Sequence, residues 1–273
     1  MVPTSGLRSA WAPPRVAARS ASATLMPKFA IASETTSDML VMPLTPGEWS
    51  EPRATAAPLS SNDRTGGFLP TCRAVAGADS VDVYCEEGRF TEREARWVLG
   101  AGRAAGLLPR LHACGQSRTG AATLAAELGC ASADLLHEAC EEDVIVLATA
   151  GVAAVLCPAT ALQVGKNPPV RSLLDKGAAI ALGTDHSPGV NGITSMSLVV
   201  SLAIANFGMS VAEALRAATL GGAQALRSPE VGTMAPGRYA DIVAWDADHE
   251  GAFAWSYGLR PLRVWRGGEL VAG

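Results

Sequence analysis

From Phe68 onward, short apolar runs alternate with helix-length segments whose apolar positions recur every three to four residues. "SVDVYCE" (80–86) predicts a strand. "TEREARWVLGAGRAAG" (91–106) predicts a helix opened by Thr91 as N-cap, with Glu94 at the capping-box position. "LPRLHA" (108–113) predicts the next strand and "TGAATLAAELG" (119–129) a helix closed by Gly129. The alternation continues through "ASADLL" (131–136), "EEDVIVLATAG" (141–151), "VAAVLCPA" (152–159), "VRSLLDKG" (170–177) and "AAIALGTD" (178–185). Two further helices, "TSMSLVVSLAIANFG" and "SVAEALRAATLGGAQALR", follow. Strands separated by single helices require a parallel sheet with helical crossovers, since parallel neighbours cannot be joined by a tight turn. Periodicity fits a barrel and an open doubly wound sheet equally. In both, chemistry gathers where the strands stop.

Those ends carry Cys85 and Glu86, His112 and Cys114, Asp134 and His137, Pro158, and Asp185 and His186. Three of the four histidines lie there; His249, in the acidic turn "WDADHEG", is expected at the surface. Imidazole and carboxylate converging from different strands suit a divalent ion such as Zn²⁺ or Fe²⁺, with His112 and Asp185 the leading pair. An Asp beside such an ion can accept a proton from bound water. Cys114 is expected to be a buried, inert thiol. The acidic pairs Glu86–Glu87 and Glu141–Glu142 are expected to be solvated charges at a loop and a helix start. No G-x-S-x-G elbow, phosphate loop or G-x-G-x-x-G turn occurs in the sequence.

The first 66 residues have no sustained period and hold eight of the 17 prolines, so they are expected to be mostly unstructured. Up to Ser33 they carry Arg8, Arg15, Arg19 and Lys28 and no acidic residue, a composition shared with organelle transit peptides. The predicted organisation is therefore an extension over 1–67, a parallel α/β unit over 68–230 and a small β segment over 231–273. A hydrophobic content of 48% over 273 residues is enough for a large core. The net charge of -4, without a basic stripe, argues against nucleic acid as a partner. Six scattered cysteines without a C-x-x-C pair suggest a reducing, cytoplasmic setting. The long uncharged stretch after His186 is interrupted by serines, Asn206 and Gly208, which favours a buried helix over a membrane span.

Residues 231–246, "VGTMAPGRYADIVAWD", resemble the G-x-[ILM]-x-x-G-x-x-A-D-[IL]-V stretch of metal-dependent amidohydrolases through Gly232, Gly237, Ala240, Asp241, Ile242 and Val243. Together with "VDVYCEEGRFTEREARWVLGAG", "LHA", "LAAELGCASAD", "TDHSPG" and "YGLRPLRVWRGGEL", the chain from about residue 68 resembles the carboxyl-terminal half to two thirds of the imidazolonepropionases. That resemblance implies a partial (β/α)8 barrel of the amidohydrolase type followed by a small β domain. It implies hydrolysis of the cyclic amide of 4-imidazolone-5-propanoate to N-formimino-glutamate. It also implies one Zn²⁺ or Fe²⁺ ion held by His112 and Asp185, Asp185 as the group activating water, and Ser187 and Gly189 at substrate-pocket positions. A dihydropyrimidinase-like activity fits the closing "RPLRVWRGGEL" less well.

The chain departs from the family pattern at several points. It contains no His-x-His pair. Gly115 stands where the family has Gln or Glu, Ser187 where it usually has Asn, and Val190 at a hydroxyl position. "SADLLH" replaces "SADH", so Leu135 takes the place of a catalytic His. If the strand continued, His137 would face the same way two residues further along and could replace it. These losses leave a second reading open, an inactive relative or structural partner of a complete copy. They predict a weakly held metal, and an uncovered parallel edge predicts association between copies.

Overall fold

The computed structural model describes residues 78–187 and 191–272, and the backbone of Phe29 and Ala30. One parallel sheet and one small antiparallel sheet organise them. The parallel sheet runs β1 (Phe29–Ala30), β2 (Ser80–Cys85), β3 (Leu108–Ala113), β4 (Ser132–Leu135), β5 (Ala153–Leu156) and β6 (Ile180–Leu182), in that spatial order. Strands laid down consecutively, with no reversal of order, are the arrangement of a barrel wall; a doubly wound sheet reverses at a switch point. The wall carries no β1–β6 pairing. Two residues of the segment expected to be unstructured thus form a strand, pairing in parallel with Ser80 and Val81. The rest of that segment lies outside the described residues.

The helices form where the pattern places them. Helix α1 (Glu92–Ala104) begins with the expected capping box: Thr91 accepts from the Glu94 amide, and Glu94 reaches back to the Thr91 amide at 2.8 Å. Helices α2 (Ala121–Glu127) and α3 (Glu141–Ala150) follow β3 and β4. Gly129 and Gly151 adopt positive φ just beyond them, a conformation that glycine reaches without a Cβ clash. The single helix expected between β5 and β6 is two: α4 (Pro158–Val164) and α5 (Val170–Asp175). Pro158 therefore ends no strand. It occupies the first turn of α4, where its missing N–H costs nothing and its fixed φ suits the helix.

Beyond β6 come α6 (Met196–Phe207), α7 (Val211–Arg216), a π-helical stretch (Ala217–Gly221) and α8 (Gly222–Leu226). No helix among the described residues is long and apolar enough to cross a membrane, and α6 instead buries Val199, Val200, Ala203 and Phe207. The small sheet comprises β7 (Ile242–Trp245), β8 (Pro261–Arg266) and β9 (Glu269–Ala272), antiparallel throughout.

Alternation sorts each parallel strand into two faces. Val81, Val83, Cys85, Leu111, Ala113, Ala133, Ala154, Leu156, Ile180 and Leu182 join the main apolar cluster with the helices. The opposite face carries two cross-strand rows. The lower is Asp82, Arg110, Ser132 and Ala153; the upper is Tyr84, His112, Asp134, Val155 and Ala181. Ala225 of α8 packs on Ala153 and Ala181, so this helix lies over the amino-terminal end of that second face. Buried reduced thiols border four of the strands: Cys85 ends β2, Cys114 follows β3, Cys130 precedes β4 and Cys157 follows β5.

Candidate active site

The lower row is a buried charge cluster. The Arg110 guanidinium donates to Ser132 Oγ at 3.1 Å and to the Ala225 carbonyl at 2.8 Å, tying β3 to β4 and to α8. Burial and the neighbouring Asp134 charge push the Asp82 carboxyl far above the usual carboxylate range, against the pull of Arg110. Burial likewise raises Asp134, with Arg110 opposing it.

Above this cluster stands His112. Its ring lies 3.9 Å from the Tyr84 ring, centroid to centroid, at 56°. Burial, with His137 nearby, pushes its pKa down to about 3, so the ring is neutral at physiological pH. Its Nε2 is buried and makes no hydrogen bond among the described residues. Asp185 follows β6 in a left-handed conformation (φ 49°), one that Asp tolerates better than most residues. Thr160 donates to its Oδ2 at 2.6 Å, and burial raises its pKa. Asn191 steadies this corner by donating to the Thr184 carbonyl at 2.9 Å and approaching Thr160 at 3.4 Å. Ser187 contributes backbone to the same corner, exchanging amide–carbonyl bonds of 2.9 and 2.8 Å with Asn191. Gly189 and Val190 lie outside the described residues.

The fold corrects the expectation for His137. Strand β4 stops at Leu135, and Leu135 and Leu136 both take positive φ, at 77° and 62°. The chain turns there, so His137 does not continue the alternation of the strand. It is 2% exposed, and neither ring nitrogen has a hydrogen-bond partner among the described residues. Burial pushes its pKa down.

Glu86 is also corrected. Expected as a solvated charge, it is 3% exposed and accepts from the Gly115 amide, the Ser117 amide at 2.8 Å and Ser117 Oγ at 2.6 Å. Its position immediately after a buried strand was the available signal. A Cβ at Gly115 would lie 2.7 Å from Leu135 Cδ1, 3.1 Å from Glu86 Oε1 and 3.4 Å from His112 Nε2. Glu86 and Leu135 thus take up room beside His112 that a side chain at 115 would need. Cys114 is the inert thiol expected, buried and pushed up to about 12. Glu141 and Glu142 do start a helix, and His249 is exposed.

The profile of the Amidohydrolase family matches residues 102–271. The chain belongs to the amidohydrolase family. An imidazolonepropionase of Geobacillus is 38% identical over 216 residues, covering 76% of this chain and 51% of that protein. One from Streptomyces avermitilis is 41% identical over 210 residues, with 76% and 50% covered. One from Anaeromyxobacter dehalogenans is 44% identical over 193 residues, with 70% and 46% covered. This amidohydrolase chain therefore spans about half the length of the curated relatives it matches. Among solved structures, an adenosine deaminase from Xanthomonas campestris with bound zinc superposes with a TM-score of 0.62 at 21% identity, covering 76% of this chain and 55% of that one. An amidohydrolase from a Sargasso Sea sample gives 0.59 at 23% identity, with 71% and 48% covered. At such identities the likeness shows the fold alone.

The orphaned nitrogens of His112 and His137 and the free Oδ1 of Asp134 are atoms an ion could satisfy. Yet no group of three or more His, Cys, Asp or Glu side chains among the described residues is arranged to hold one. The described residues therefore do not make a complete metal site by themselves.

Proposed function

We propose that the mouth formed by His112, Asp185 and their neighbours is the carboxyl-terminal share of a hydrolytic site for a cyclic amide. The substrate that the imidazolonepropionase relatives suggest is 4-imidazolone-5-propanoate, opened to N-formimino-glutamate. The observation that carries this reading is the convergence of a neutral, buried imidazole and a Thr160-bonded carboxylate at the carboxyl ends of β3 and β6. Asp185 is the proposed proton acceptor for the attacking water, its raised pKa bringing it nearer the range of a working base. His112 offers an unprotonated Nε2, and with Asp185 it supplies two ligands for a Zn²⁺ or Fe²⁺ ion, fewer than a tight site needs. Ser187 and Gly189 are proposed to line the substrate pocket, and His137 to act only if it moves out of its buried position. The domain division at 68 and 231 belongs to the same reading.

The missing three-ligand group favours a second reading, in which the chain has no catalysis of its own. Loss of imidazolone absorbance with metal-supplemented full chain, measured beside Asp185→Ala, separates the two. Turnover abolished by the substitution establishes the hydrolytic site. Equal background rates in both proteins establish the inactive relative.

A further inference from the structure

We propose that Arg89 is a carboxylate-binding residue at this mouth, held over Tyr84 so that an anionic ligand lies beside His112. The inference rests on the hydrolytic-site reading and names a feature of the ligand that reading leaves open.

The local chain explains the placement. After β2, the Arg89 amide donates to the Glu86 carbonyl at 2.9 Å and the Phe90 amide to the Tyr84 carbonyl at 3.2 Å. The turn requires φ of 73° at Gly88, where a Cβ would meet nothing within 4 Å, so backbone conformation and not space selects glycine. The reversal lays the Arg89 guanidinium over the Tyr84 ring, 5.5 Å from its centroid. Tyr84 in turn stacks against His112.

Charge around the strand ends singles out this arginine. Arg118, after β3, is neutralised by Asp143 at 2.7 Å, and Lys166 by Glu138 at 2.5 Å. The nearby Glu86 carboxylate is turned inward to Gly115 and Ser117. No carboxylate among the described residues forms an ion pair with Arg89, and it is exposed. An aromatic face orients a guanidinium without neutralising it, leaving the donor fork for a planar, bidentate partner. A carboxylate is that partner, and a ligand bound through it would extend across Tyr84 toward His112.

The test is a titration of the full chain with 3-(imidazol-4-yl)propanoate and with uncharged 4-propylimidazole, read from the Tyr84 and His112 ring resonances. It is run at a pH where both ligand rings are neutral. The acid is expected to bind at least about tenfold more tightly than the propyl compound, the effect of one charge-assisted pair. Arg89→Gln should bring the two within about twofold, and Arg89→Lys should restore part of the difference. Equal binding of both compounds to the unsubstituted chain, or a preference for the acid that survives Arg89→Gln, overturns the assignment while leaving the mouth a ligand site. If neither compound moves either resonance, the hydrolytic-site reading falls and the assignment falls with it.

Discussion

Glu86 accepts a hydrogen bond from the Gly115 amide, and a Cβ at Gly115 would come within 3.1 Å of that same carboxylate. The two positions are therefore coupled: the carboxylate organises the loop after β3 only while residue 115 has no side chain.

Gly115→Gln, which restores the family residue, is accordingly expected to destabilise the fold by about 1–3 kcal/mol, because Leu135 Cδ1 stands 2.7 Å from the new Cβ. Urea denaturation measures the loss. Adding Leu135→Ala should recover part of it, and a double variant no better than the sum of its single changes would show the two sites to be independent.

Glu86→Gln replaces an acceptor-only group with one whose NH2 must face the amides of Gly115 and Ser117. We expect a loss of about 1.5–3 kcal/mol, the scale of hydrogen bonds to a charged group. Hydrogen exchange should show faster exchange at those two amides, and unchanged protection there would remove Glu86 from its organising role.

His112 should remain neutral far below the ordinary histidine range. Its pKa falls from 6.5 to about 3 on folding, so the unfolded chain binds the proton first. The stability this group contributes is complete above about pH 6.5 and is lost as pH falls toward 3. The His112 Cε1 proton shift, followed by NMR, is expected to stay flat between about pH 5 and 8, within the span set by those two values.

Asp82 has the opposite sign. Its carboxyl is raised on folding, so its contribution is present at acid pH and is lost as pH climbs above the ordinary carboxylate range. Asp82→Asn removes that titration, and its stability should decline less than that of the parent chain between weakly acid and mildly alkaline solution. Parallel curves from urea midpoints across pH would refute the assignment.

The parallel wall was legible because each of its elements announces itself locally: Thr91 with Glu94 for a helix start, Gly129 and Gly151 for helix ends, alternating apolar positions for the strands. Helix α4 was missed because Pro158 follows an apolar run without a break, and proline at a first turn looks the same in sequence as proline ending a strand. His112 and Asp185 were legible as residues at strand ends. Glu86 and His137 were not, since each depends on what the chain does next: Glu86 turns inward to amides 29 and 31 residues away, and His137 leaves its strand through two left-handed leucines. Arg89 gained meaning only from the turn that lays it over Tyr84.

The four thiols that border the strands give this wall a built-in clock. Each is buried, and burial raises the pKa of all four, Cys114 and Cys130 reaching about 12, so none reacts while its strand is in place. Cys140, partly open at the start of α3, marks the reactive end of the scale. The order in which Cys85, Cys114, Cys130 and Cys157 take up an alkylating reagent in mild denaturant would read out, strand by strand, where the wall first comes apart.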